Sequence, residues 1–118
     1  MATFGTHLRL TASRDERDTV REFYRSGLRA AHSSPTPDLD VFRLPDGFQI
    51  GIYFLPREQA LGPEAAEKGA WLEFVVEDAE AAADELVALG ASTVEYEDKS
   101  HRYLRAPGGQ IFRLAVAR

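Results

Sequence analysis

The chain has 118 residues, a formal net charge of −5, no cysteine, and 44% hydrophobic against 28% charged residues. That is the composition of one globular domain with a core of its own, and it excludes a disordered chain, disulfides, thiolate metal sites and thiol nucleophiles. The interspersed charges and negative balance exclude the clustered basic surface that a nucleic-acid partner requires. The opening residues lack a basic stretch followed by an apolar one, and no apolar run approaches the roughly 20 residues that cross a bilayer. The expectation is a soluble cytoplasmic protein with no membrane partner.

In chain order, His7-Leu-Arg-Leu-Thr11 alternates, Leu8 and Leu10 opposing His7, Arg9 and Thr11, which predicts a half-buried strand. Ser13-Arg-Asp-Glu16 has the spacing of a capping box ahead of a helix, whose buried stripe is Val20, Phe23, Tyr24 and Leu28. Glu16, Arg17, Arg21, Glu22 and Arg25 are expected on its solvated face. Ser33-Ser-Pro-Thr-Pro37 reads as a break, with His32 in a loop beside it. Two strands, 39–44 and 48–55, follow as a hairpin around Pro45-Asp-Gly47.

Residues 56 to 69 have no clean period and read as a connection, after which the pattern begins again. Trp71-Leu-Glu-Phe-Val-Val76 is a strand, and Asp78 caps a helix with Ala79, Ala82, Ala83, Leu86 and Val87 as its buried stripe. Gly90 stands where a helix-ending glycine belongs. Residues 92–96, 101–105 and 110–116 are strand-like, the last two joined at Pro107-Gly-Gly109. His7 matches Trp71 and the Pro45 turn matches the Pro107 turn, at spacings of 64 and 62 residues. The chain therefore reads as a single α+β domain over 1–118, built from two β-α-β-β-β repeats (about 5–56 and 70–117). Mixed sheets form a concave cup with the helices outside.

His7-Leu-Arg-Leu, the helix with Glu22-Phe-Tyr-Arg25 and Gly27-Leu, Trp71 to Asp78, Ala88-Leu-Gly-Ala91 and Tyr103 to Leu114 together resemble the glyoxalase / bleomycin-resistance / extradiol dioxygenase superfamily, the vicinal oxygen chelate proteins. The resemblance runs from His7 to Val116. It implies that the ligands of metal-using relatives fall at His7, Gly51, Trp71 and Arg113, on the first and last strands of each repeat. It also implies a homodimer. A fold of this kind does not by itself fix an activity.

Of those four positions only His7 suits a metal. The indole N–H of Trp71 only donates, Gly51 has no side chain, and Arg113 is a permanent cation. With about three good ligands needed, the expectation is no metal and no other cofactor, with His7 and Glu73 as the remaining weak metal candidates and His32 and His101 as spares. Strand alternation puts His7, Arg9, Trp71, Glu73 and Arg113 together on the concave side, with Tyr53 on the Gly51 side of its strand and Tyr103 and Arg105 also turned inward. Glu73 is expected to pair with Arg9 or Arg113. The reading is a metal-independent binding protein for a small aromatic or anionic molecule, flat ligands stacking on Trp71 and a tyrosine while a guanidinium meets an anionic group. The alternative is a lyase, isomerase or dioxygenase-type enzyme with His7, Glu73 and Arg113 as catalytic groups, with or without a divalent metal.

Overall fold

The computed structural model describes residues 1–117. Its elements are β1 (His7–Ser13), a 3₁₀ turn (Arg14–Glu16) leading into α1 (Arg17–Glu22), a π turn (Phe23–Gly27), β2 (Ala31–Thr36), β3 (Leu39–Arg43) and β4 (Gln49–Leu55). A connection with a 3₁₀ turn (Arg57–Gln59) and α2 (Pro63–Lys68) precedes β5 (Leu72–Val76), α3 (Ala79–Ala88), β6 (Ser92–Thr93), β7 (Arg102–Arg105) and β8 (Ile111–Val116). Both halves are β-α-β-β-β units. Each makes a four-stranded mixed sheet, in the orders β1-β4-β3-β2 and β5-β8-β7-β6. Arg9 lies opposite Gly51 in the parallel pair β1–β4, and Glu73 lies opposite Arg113 in β5–β8, so the repeat holds residue by residue. The sheets are separate: β1 and β5 are both edge strands, so no single continuous cup closes within the chain.

One face of each sheet is buried. Ile50, Ile52, Phe54 and Phe42 in the first sheet and Leu104, Phe112 and Leu114 in the second join Val20, Phe23 and Tyr24 in one cluster that spans both halves. Each such side chain contributes about 1.5–3 kcal/mol relative to exposure. The halves meet through their helices. The Phe23 ring lies 6.0 Å from Phe112, and a Cβ on Gly27 would come within 2.6 Å of Leu86 Cδ2, so a larger residue there would displace the Leu86 side chain. Gly108, at φ +93°, brings its turn against Ala12 and Val20 and donates its N–H to Glu16 at 2.8 Å.

Four local expectations are corrected. Ser13 and Glu16 form no capping box: the Ser13 hydroxyl turns to Asp15, and Glu16 is drawn 92 residues along the chain to Gly108. The Ser33–Pro37 region is not a break, because residues 31–36 pair with β3 as an edge strand whose register shifts between Ser33 and Thr36; Pro35 lies inside that irregularity, where a missing N–H costs little. His32 is thus a strand residue. Arg17 and Arg21 are not simply solvated. They close on Asp40, which shares the core-facing side of β3 with Phe42 and is fully buried. Burial alone pushes the Asp40 carboxyl up, but hydrogen bonds from Arg21, Arg17, Ser34 and His32 outweigh it and hold the group far below the usual carboxylate range. In α3, Val87 is 43% exposed while Ala83 and Leu86 are buried, since 100° per residue places it at the edge of the stripe those two centre.

Candidate functional site

The outer faces of the two sheets carry the predicted site residues as two separate groups. On the first sheet, the His7 ring lies beside Gly51, where a Cβ would meet it in ordinary van der Waals contact, 3.5 Å from Cε1 and 3.8 Å from Nε2. One register step along, the Arg9 guanidinium lies 4.4 Å from the centre of the Tyr53 ring. His7 and Arg9 are exposed to solvent, Gly51 is covered, and Tyr53 is half-buried.

The second sheet carries a denser arrangement. Arg113 Nε donates to Glu73 Oε2 at 2.7 Å, and Arg113 Nη1 lies 3.4 Å from the Tyr103 hydroxyl. Of the two partners open to Glu73, Arg113 is the one it takes. The Trp71 ring packs edge-on against Tyr103 at 5.7 Å and against Tyr96 at 4.8 Å, and those two tyrosines are 5.0 Å apart. The Trp71 N–H donates to the Glu67 carbonyl at 2.9 Å, which fixes the indole. Arg105 shares the strand but swings to α2, pairing with Glu67 and donating to the Pro63 carbonyl.

Two residues of this second group escaped the sequence reading. Tyr96 was expected in a strand over 92–96, yet pairing stops at Thr93 and the chain turns back to lay Tyr96 on Trp71. Asp98 accepts from the Ser100 hydroxyl and backbone N–H and from the Tyr103 hydroxyl at 2.8 Å, bonds that hold its carboxyl well below the usual range. The Asp-Lys-Ser spacing was the available signal, because an aspartate two residues before a free N–H favours such a turn. His101 sits beside Asp98 and Tyr103 rather than near His7. His32 faces the buried Asp40, 3.1 Å away.

Among the described residues, no hydrogen bond, ion pair or ring contact joins His7, Arg9, Gly51 and Tyr53 to Trp71, Glu73, Tyr103 and Arg113. The arrangement is two half-sites, one rich in cation and imidazole, the other a ring cluster edged by two carboxylates and a guanidinium.

Residues 9–115 match the family model of the glyoxalase-like domain. The chain belongs to the glyoxalase-like domain family. Solved structures carry the same fold over nearly the whole chain. A protein described as a possible glyoxalase from Bacillus cereus is 22% identical, with 96% of this chain and 98% of that one covered at a TM-score of 0.70. A glyoxalase/bleomycin resistance protein from Albidiferax ferrireducens is 17% identical, with 98% and 100% covered and a TM-score of 0.68. The bleomycin-binding protein of Streptomyces verticillus, in complex with copper(II)-bleomycin, is 16% identical over 100% of both chains with a TM-score of 0.63. No curated protein matches the sequence. These findings put the glyoxalase-like domain in the vicinal oxygen chelate superfamily, and among the described residues no helix is long and apolar enough to cross a membrane.

The donor chemistry of this glyoxalase-like domain does not fit a metal at the superfamily's positions. Gly51 offers no donor atom, the Trp71 nitrogen is committed as a donor, the Arg113 cation is tied to the Glu73 carboxylate, and the other carboxylate of this group, Asp98, is held by Ser100 and Tyr103. His7 and Glu73 stand on different sheets, and among the described residues no three His, Asp or Glu side chains converge.

Proposed function

We propose that this glyoxalase-like domain binds a small aromatic or anionic molecule without a metal, in a site completed by a second copy of the chain. One copy supplies His7, Arg9, Gly51 and Tyr53, and the other supplies Trp71, Glu73, Tyr103 and Arg113. The observation that carries this reading is the content of the four superfamily positions: an imidazole over a glycine, a tethered indole, and a guanidinium locked to Glu73. A flat ligand stacks on the Trp71 face left free by Tyr96 and Tyr103, while Arg9 or a released Arg113 meets its negative group. The separation of the half-sites within one chain supports completion by a partner, since a two-fold axis brings the first sheet of one copy to the second sheet of the other.

A thermal-shift screen of aromatic acids and drugs, beside Zn²⁺, Ni²⁺ and Mn²⁺, supplies the ligand. Arg9→Ala and Trp71→Ala chains are then mixed. With sites shared between chains, each variant alone loses binding, and mixing restores about a quarter of the sites, because each mixed dimer holds one intact site and one doubly altered. No recovery on mixing, with the mixed dimer shown to form, contradicts the shared site. Stabilisation by the metal ions alone contradicts metal independence.

A further inference from the structure

The two half-sites differ in how their charges are spent. The four strands of the first sheet hold one acidic residue, Asp40, and it is buried on the core side. The outer face of that sheet therefore carries Arg9 and Arg43 with no strand carboxylate beside them, in a chain whose formal net charge is −5. Among the described residues neither guanidinium has an ion-pair partner. Arg43 reaches away toward the hairpin, where a Cβ on Gly47 would stand 3.9 Å from its Nη2, and Asp46 of that turn accepts from the Phe48 N–H.

The second sheet is the reverse. Arg113 is held by Glu73 and Arg105 by Glu67, and Asp98 stands 3.9 Å from Arg113 Nη1. An anion arriving there must displace Glu73 and then meets the repulsion of Asp98. An anion arriving at Arg9 displaces nothing and meets no like charge on its sheet. The Arg9 guanidinium lies over the Tyr53 ring, 4.4 Å from its centre. A guanidinium resting on a ring keeps its in-plane N–H groups clear of it, and these form the fork that a carboxylate fits with two bonds.

We propose that the ligand of the shared site is an aromatic carboxylate and that Arg9 is the residue that takes its charge. The ligand then spans the site in one sense, its carboxylate on the first sheet of one copy and its ring on the partner's Trp71. One guanidinium balances one charge, which suits a carboxylate better than a phosphate dianion, since Arg43 is turned to the hairpin and supplies no second fork. Its charge still adds to the positive field of that face. Arg113 stays with Glu73; removing Glu73 adds a cation to the site without changing which one the native chain uses. This assignment rests on the binding function proposed above.

Titration calorimetry with matched pairs, benzoate against benzamide and phenylacetate against phenylacetamide, tests it. The wild type prefers the acid to its amide by roughly 10- to 100-fold, the value of a hydrogen-bonded charge pair. Arg9→Met, which keeps an apolar stem on Tyr53, brings the acid down to the level of its amide. Arg9→Lys, with the charge but no fork, restores only part of the preference. An acid and its amide bound equally, with binding lost in Trp71→Ala, overturn the assignment and leave the shared site standing. A preference kept in Arg9→Met and lost in Arg113→Met overturns it by moving the carboxylate to the second sheet. Phenyl phosphate bound more tightly than benzoate overturns the carboxylate class. Absence of binding by every member, with the chain folded, overturns both the assignment and the function it rests on.

Discussion

Replacing Asp40 with asparagine probes the least expected feature of the fold. The Asp40 carboxylate has no exposure and accepts from Arg21 Nε at 2.7 Å, Arg17 Nη2 at 2.8 Å and the Ser34 hydroxyl at 2.7 Å. Asparagine keeps the shape and removes the charge, leaving two guanidiniums facing a neutral group. Removing one partner of a buried ion pair costs about 3–5 kcal/mol. Arg17 and Arg21 are 21% and 33% exposed, so water relieves part of this, and the lower end, about 3 kcal/mol, is expected. For a chain of this length about 3–4 °C of melting temperature accompanies each kcal/mol, so the Tm at pH 7 falls by roughly 10 °C.

The same variant has a pH signature. The folded pKa of Asp40 is depressed, so its stabilisation is fully present above the unfolded value of about 3.9 and is lost as pH falls toward the folded one. The gap between wild type and Asp40→Asn, measured by chemical denaturation, therefore narrows from pH 7 to pH 3. A loss of under about 2 °C at pH 7, or a gap independent of pH, refutes this account of the network.

Three further outcomes follow from the geometry. Gly108→Ala, at φ +93° with Ala12 and Val20 3.2 and 3.3 Å from the added carbon, destabilises by about 2 kcal/mol in urea unfolding. Glu73→Gln leaves Tm within about 4 °C, because its ion pair with Arg113 is partly exposed and contributes under about 1 kcal/mol, but it frees Arg113 and tightens binding of an anionic ligand found by the screen. On the proposed metal-free reading, dialysis against EDTA leaves Tm within about 1 °C.

The doubled unit was legible because its punctuation is chemical. Pro45-Asp-Gly and Pro107-Gly-Gly specify turns, Asp78 and Gly90 specify the ends of a helix, and alternation specifies strand faces. Alternation also set His7 and Arg9 on one face of the first sheet and Trp71 and Glu73 on one face of the second, but the single concavity expected to unite them does not follow, because the two sheets are separate. What was hidden depends on partners distant in sequence. An edge strand with a bulge tolerates Pro35, so the Ser33–Pro37 stretch looked like a breaker. Glu16 leaves its expected cap for an amide on the other half. Asp40 did leave a trace, a carboxylate in phase with the core residue Phe42, but its neutralising arginines sit on a helix whose packing only the fold reveals. That the two sheets stay separate within one chain is likewise absent from any local pattern.

The central claim is binding without a metal at positions where the superfamily can hold one. Inductively coupled plasma mass spectrometry, on protein purified without chelators and shown to bind its screened ligand, tests it most directly. The account predicts ligand-competent protein with metal far below one ion per chain. Near-stoichiometric Zn, Ni, Mn, Fe or Cu, removed together with ligand binding by a chelator, would contradict it.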